Sequence, residues 1–428
     1  MNFKLKDGFL MGTASASTQI EGGEVGNTWN DWYHKGLIHD GSDPAVADDH
    51  YRLYKEDTAL MGKMKMQIAR FGIEWARICP AENVVDYDVL DHYRDEITGM
   101  KKLGIRPLMT LHHFSNPMWF ENKGAFTKRE NLHYFLEFVE IAVDYLGDLV
   151  DDYITINEPN VYATNSYCFG QFPPAHTSFI ETFAVLENLA HCHIESYKMI
   201  HDIRRKKGFT NTMVGFANHL RAVDPEDPKN PVHRASAKAV EWFFQGAITY
   251  AMSRGEFMLP LVDHWKTEKG EYADFNGINY YSRSTVSGLS DGVRKNSPRN
   301  DLDWEIYPEG LVRVATWLSG ILYRPIYVTE NGTCDNSDSF RSRYLYEHLR
   351  AISESVLPFE RYYHWCFIDN FEWLEGQSAR FGLVHNDYDT QTRTIKKSGE
   401  FFTKMIENHG VTDEMYDKYV SGIEYRIK

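Results

Sequence analysis

No apolar run in this 428-residue chain reaches the roughly 18 residues that a membrane-spanning helix needs. Behind Lys4 and Lys6, the segment GFLMGTASAS has the outline of a signal peptide with a cleavage site at Ala14-Ser15-Ala16, but its apolar part is short and is broken by Gly12 and Thr13. A soluble cytoplasmic protein with no membrane partner is the expectation. Cysteine is scarce as well. Cys79, Cys168, Cys192, Cys334 and Cys366 are an odd number spread at long intervals, which suits reduced thiols better than a disulfide framework. Positive charge is in deficit, with 46 Lys and Arg against 61 Asp and Glu, and a net charge of −15 opposes a nucleic-acid partner, whose binding requires clustered cations. The dense basic run at Arg204 to Lys207 falls where a helix ends, and a solvated last turn accounts for it. Linkers rich in Gly, Ser or Pro are missing, as are low-complexity tracts, so residues 1–428 are expected to form a single domain.

What the chain does have is material for a large core: 43% of its residues are hydrophobic and 14% aromatic, which excludes disorder. Eight β-prone runs stand at residues 9–15, 66–73, 106–113, 153–158, 212–219, 275–281, 325–331 and 362–369. They alternate with segments such as 49–64, 129–147 and 345–357, whose apolar residues recur at the spacings of three and four that amphipathic helices require. Eight strand-then-helix units predict a (β/α)₈ barrel. A doubly wound sheet shares the alternation, but no Gly-x-Gly-x-x-Gly follows any of these strands, so a dinucleotide cofactor is unsupported.

Barrel enzymes assemble their sites at the C-terminal ends of the strands. Here those ends carry Gln19 and Glu21, Arg70, His112 and His113, Asn157 and Glu158, Asn279 and Tyr281, Glu330, and Trp365 followed by Glu372 and Trp373. Taken singly, Glu158 or Glu330 reads as a solvated loop carboxylate. As a pair they differ from that pattern, because each ends an apolar strand and each is followed by a turn former, Pro159 or Asn331-Gly332. Two carboxylates facing one another suit glycoside hydrolysis, with a separation of about 5 to 5.5 Å for a covalent, retaining route and a wider gap for an inverting one. Arg70 inside a buried strand calls for a partner. A structural salt bridge is one reading, and charge support of Glu330, aided by a hydrogen bond from Tyr281, is the other. Glu158, as an acid, is expected in a less charged setting. His112-His113 and His191 to His193 lack metal-site spacing, since neighbours on a strand face opposite sides and the second group lies within a helical segment. Most of the ten Trp and 26 Tyr belong in the core, yet Trp304, Trp365 and Trp373 around Glu372 make a plausible saccharide platform.

The ordered segments GTASASTQIEGG, FGIEWAR, TLHHFSNP, TINEPN, GINYY, WEIYPEGL, YVTENG and DNFEWLEGQSARFG resemble the signatures of family 1 glycoside hydrolases, the β-glucosidase family, over nearly the whole chain. The resemblance implies a retaining β-glycosidase with Glu330 as nucleophile, Glu158 as acid/base, and Arg70 and Tyr281 supporting Glu330. It further implies that Asn157 bonds the sugar 2-hydroxyl with Asn279 nearby, and that Gln19, His113, Glu372 and Trp373 bind the glycon. Trp365 would lie under the ring and Trp304 beside the aglycone. It implies a small β-glycoside as substrate and no metal or cofactor. Phospho-β-glucosidases, the alternative within the family, put Ser, Lys and Tyr in the segment where this chain has Glu372, Trp373, Ala379 and Phe381, so a non-phosphorylated glycon is expected, with Glu372 repelling a phosphate. Phe114 stands where many members have Trp, and the loops after Tyr281 and Gly332 look trimmed, so no aglycone preference carries over. A metal-dependent barrel hydrolase and a non-catalytic sugar-binding barrel are the rival readings.

Overall fold

The computed structural model describes residues 1–288 and 290–428. Eight parallel strands close a barrel in chain order: β1 (Leu10–Ala14), β2 (Ile68–Gly72), β3 (Arg106–His112), β4 (Asp152–Asn157), β5 (Met213–His219), β6 (Asn276–Asn279), β7 (Ile326–Asn331) and β8 (Phe359–Trp365). Helices α1 (His50–Lys63), α2 (Tyr87–Lys102), α3 (Leu132–Leu146), α4 (Phe179–Lys206), α5 (Ala247–Arg254), α6 (Glu309–Ile321), α7 (Arg341–Glu354) and α8 (Lys397–Asn408) follow the strands one by one. Strand interiors face one another inside the barrel while helices cover the outer face, so every residue of β4 and of β7 is buried. The predicted runs and the observed strands coincide apart from a few residues at their ends. Two of these helices start on a side-chain cap: Asp86 accepts from the amides of Asp88 and Val89 ahead of α2, and Ser178 accepts from that of Glu181 ahead of α4.

The two ends of the barrel differ. At the N-terminal end a buried carboxylate, Asp152, accepts from Arg361 Nη1 at 2.8 Å and Arg106 Nε at 2.5 Å, and the Arg361 guanidinium lies 4.0 Å from the Tyr327 ring centre. Irregular pairing gathers toward the C-terminal end, beside one shift at the start of β7 between Ile326 and Tyr327. Register shifts fall between Ile154 and Asn157 against β5, between Val328 and Glu330 against β6, and between Val328 and Asn331 against β8. Such irregularities re-aim side chains, and they sit on the two strands that carry the paired glutamates. A three-stranded sheet, Ala222–Pro225 with Arg283–Ser287 and Ser290–Gly292, braces the loops after β5 and β6.

One expectation fails at the basic run. Arg204 is not part of a solvated turn but is fully buried, donating from Nε to Thr212 Oγ1 at 2.9 Å and from Nη2 to Asp151 Oδ1 at 2.6 Å. Its guanidinium ties the end of α4 to the turn entering β4, while Arg205, Lys206 and Lys207 remain exposed.

Candidate active site

The site is built around Arg70, which β2 delivers into the barrel with 1% exposure. A buried guanidinium needs its donors matched. Nη1 donates to Glu330 Oε1 at 2.6 Å, Nη2 to Asn157 Oδ1 at 2.7 Å, and Nε to Thr110 Oγ1 at 3.0 Å. Tyr281 donates its hydroxyl to the other oxygen of Glu330 at 2.5 Å. Asn279 then bridges, its Nδ2 reaching both Asn157 Oδ1 at 2.9 Å and Glu158 Oε1 at 2.8 Å, while its own oxygen accepts from Thr329 at 2.7 Å. Four hydrogen bonds therefore run from Glu330 through Arg70, Asn157 and Asn279 to Glu158.

Glu158 itself has φ +43°, left-handed backbone that a non-glycine residue adopts under constraint. Its amide donates to Ala217 O at 2.7 Å, and Pro159 starts the following short helix. Phe114 at φ +62° and Trp373 at φ +50° share this uncommon conformation on the same rim.

On the other flank, Glu372 Oε2 accepts from Gln19 Nε2 and from Trp365 Nε1, both at 3.3 Å. Gln19 Oε1 is buried with no protein partner, an acceptor left open among the described residues. His113 takes a hydrogen bond from Asn157 Nδ2 at 2.9 Å, and its ring lies 5.8 Å from that of Trp365 and 5.6 Å from that of Trp373. Trp304 packs beside Tyr281, 5.8 Å from that ring and 5.9 Å from Phe381. The candidate residues named from the sequence thus converge in one contiguous set. Two residues from the same strand ends do not join it. Glu21 pairs with Arg77 at 3.0 Å and Tyr93 at 2.7 Å, and His112 turns away to Asn116 at 3.0 Å. The helical histidines serve packing: His193 meets Thr155 at 2.7 Å and the Tyr272 carbonyl at 2.8 Å, and His191 stacks on Trp265.

The electrostatics modify two expectations. Arg70 and Tyr281 do contact Glu330 and pull its pKa down, but burial, reinforced by Glu158, outweighs them and pushes the carboxyl up to about 7. Burial likewise raises Glu372 to about 8, with Glu330 and Glu158 adding to it against the hydrogen bonds from Trp365 and Gln19. The hydrogen bonds to this carboxyl come from neutral groups, Gln19 and Trp365, and none comes from a cation among the described residues. Burial, helped by Arg70, holds His113 far below the ordinary imidazole range, so its ring is neutral.

Sequence reasoning missed His219. It ends β5, and its Nδ1 lies 3.1 Å from Glu158 Oε1. The signal was available, since the fifth strand's end was the one from which no candidate was drawn.

The model of the family described as Glycosyl hydrolase family 1 matches residues 1–411. The chain is 31% identical to the 1,4-beta-D-glucan glucohydrolase of Thermotoga neapolitana, over 96% of this chain and 100% of that protein. It is 30% identical to Beta-glucosidase A of Thermotoga maritima, over 96% and 99% respectively. Among solved structures, a beta-glycosidase from Pyrococcus horikoshii superposes with a TM-score of 0.89 at 31% identity, covering 98% of each chain. The Thermotoga maritima beta-glucosidase in complex with glucoimidazole superposes with a TM-score of 0.88 at 29% identity, covering 95% of this chain and 100% of that one. A family match of this extent, on a barrel whose mouth gathers two buried glutamates, makes the chain a β-glycosidase belonging to glycosyl hydrolase family 1.

Proposed function

We propose that the enzyme is a retaining β-glucosidase that removes terminal, non-phosphorylated β-D-glucosyl residues from small aglycones or oligosaccharides, with galactosides and fucosides as further substrates. The observation that carries this reading is the linked pair: Glu330, held by Arg70 and Tyr281, and Glu158, tied to the same network through Asn279. In the first step a carboxylate oxygen of Glu330 bonds to the anomeric carbon as the bond to the aglycone oxygen breaks, and Glu158 gives that oxygen its proton. In the second step Glu158 takes a proton from water as the water oxygen displaces Glu330. Asn157 bonds the 2-hydroxyl, Gln19, His113, Glu372 and Trp373 hold the remaining hydroxyls, Trp365 supports the ring, and Trp304 flanks the aglycone. Five unpaired cysteines support a cytoplasmic setting.

A 2-deoxy-2-fluoro glucoside with an activated leaving group tests the reading. The expected result is one added fluoroglucosyl mass per chain, found on the peptide carrying Glu330. An unlabelled protein, or label on another residue, overturns it. Glu158→Ala is expected to lower kcat/KM on alkyl glucosides by about 10²- to 10⁴-fold, with azide restoring turnover of activated aryl glucosides. Comparison of glucoside with 6-phosphoglucoside tests the glycon, and preference for the phosphorylated sugar sinks it.

A further inference from the structure

The two oxygens of Glu158 are in different situations. Oε1 meets two nitrogens, Asn279 Nδ2 at 2.8 Å and His219 Nδ1 at 3.1 Å, whereas Oε2 takes no hydrogen bond from the described residues. His219 is well placed to hold this geometry. Its backbone carbonyl accepts from Asn160 Nδ2 at 2.8 Å, its ring stacks on Tyr281 at 5.8 Å with planes 19° apart, and Phe244 meets it edge-on at 5.9 Å. Tyr281 is the tyrosine that donates to Glu330, so one imidazole touches the acid/base and the support of the nucleophile.

We propose that His219 is a positioning residue for the acid/base: its Nδ1–H and the Asn279 amide occupy Oε1 of Glu158, which assigns the transferred proton to Oε2 and leaves two donors in place for the carboxylate formed when that proton departs. The inference rests on the reading of Glu158 as acid/base. It follows from hydrogen-bond capacity. An oxygen already accepting two N–H groups is a poor place for a third proton, and donors directed at a carboxylate favour its ionised form. Other charged or titratable groups face Glu158 from neighbouring elements: Glu330 on β7, Tyr281 after β6, Glu372 after β8, and Arg221 after β5, whose guanidinium lies 4.1 Å from the Phe244 ring centre and is paired with Asp291 at 3.0 Å.

The test compares His219→Leu, which removes the donor, with His219→Gln, which keeps an N–H, and with Glu158→Ala, on glucosides with alkyl and with 2,4-dinitrophenyl leaving groups. A dinitrophenolate departs without a proton, so loss of acid function shows only on the alkyl substrate. For His219→Leu the alkyl substrate is expected to lose roughly ten-fold more kcat/KM than the activated one. The basic limb of its pH profile is expected to move to higher pH, because an acid deprived of a donor to its anion holds its proton more tightly. His219→Gln is expected to recover most of both effects. Equal losses on the two substrates with an unmoved basic limb would overturn the proposal and leave His219 a packing residue. If Glu158→Ala also lacks leaving-group dependence and azide rescue, the acid/base reading has failed instead. If it shows both, the failure is that of His219 alone.

Discussion

A carboxyl whose pKa burial raises is pulled in two directions, and Glu330 and Glu372 share that position. The folded protein holds their protons where an unfolded chain has released them. The stability they contribute is therefore complete below the ordinary value of 4.5 and is lost as pH rises through about 7 for Glu330 and about 8 for Glu372. Catalysis by Glu330 on the proposed reading runs the opposite way, since it needs the ionised carboxylate. The acid limb of kcat/KM is expected above the ordinary carboxylate range, rising over pH values where the melting temperature falls. Glu372→Gln mimics the neutral form, so its melting temperature is expected to exceed the parent's at pH 8 and to match it near pH 4.5. A variant that melts below the parent at pH 8 would show that the ionised Glu372 is not the strained species.

Elements explain which of these features could be read from the sequence. Strand runs such as IYVTEN were legible because a barrel strand buried on both faces is apolar almost throughout, and a polar residue at its tip stands out. Glu158, Glu330 and Arg70 were visible for that reason. Burial of Arg204 was not, because its partners Asp151 and Thr212 come from segments that only the folded chain brings beside the helix end. Nor was the direction of the Glu330 shift, which depends on how completely several elements exclude water. Gly332 shows how tightly two strands meet at the site. A Cβ there would stand 1.9 Å from the carbonyl oxygen of Trp365, a backbone atom that cannot step aside. Gly332→Ala is therefore expected to cost about 1–3 kcal/mol, read from the denaturation midpoint, and to lower kcat through displacement of Trp365 and Glu330. Parent-like values for both would show that β7 and β8 can separate freely.

For the whole molecule, the barrel divides its labour between its ends, with a paired ionic cluster at the N-terminal end and the candidate site at the other. Asp152 is fully buried between Arg106 and Arg361, so removing it leaves Arg361 without its counter-charge. Asp152→Ala is expected to lower unfolding free energy by about 3–5 kcal/mol, while the folded fraction keeps its KM for an aryl glucoside. A changed KM with unchanged stability would reverse that division. The same cluster sets the order of traffic. Asp152 and Arg361, with the buried rings of Tyr327 and Tyr363 beside that guanidinium, fill the N-terminal end of the barrel interior, and the C-terminal mouth is the doorway to the site. On the proposed reading the aglycone lies nearer that doorway and must leave before water can enter. The sugar departs last, along the path by which the next substrate arrives, so free glucose competes with every incoming glucoside for the same passage.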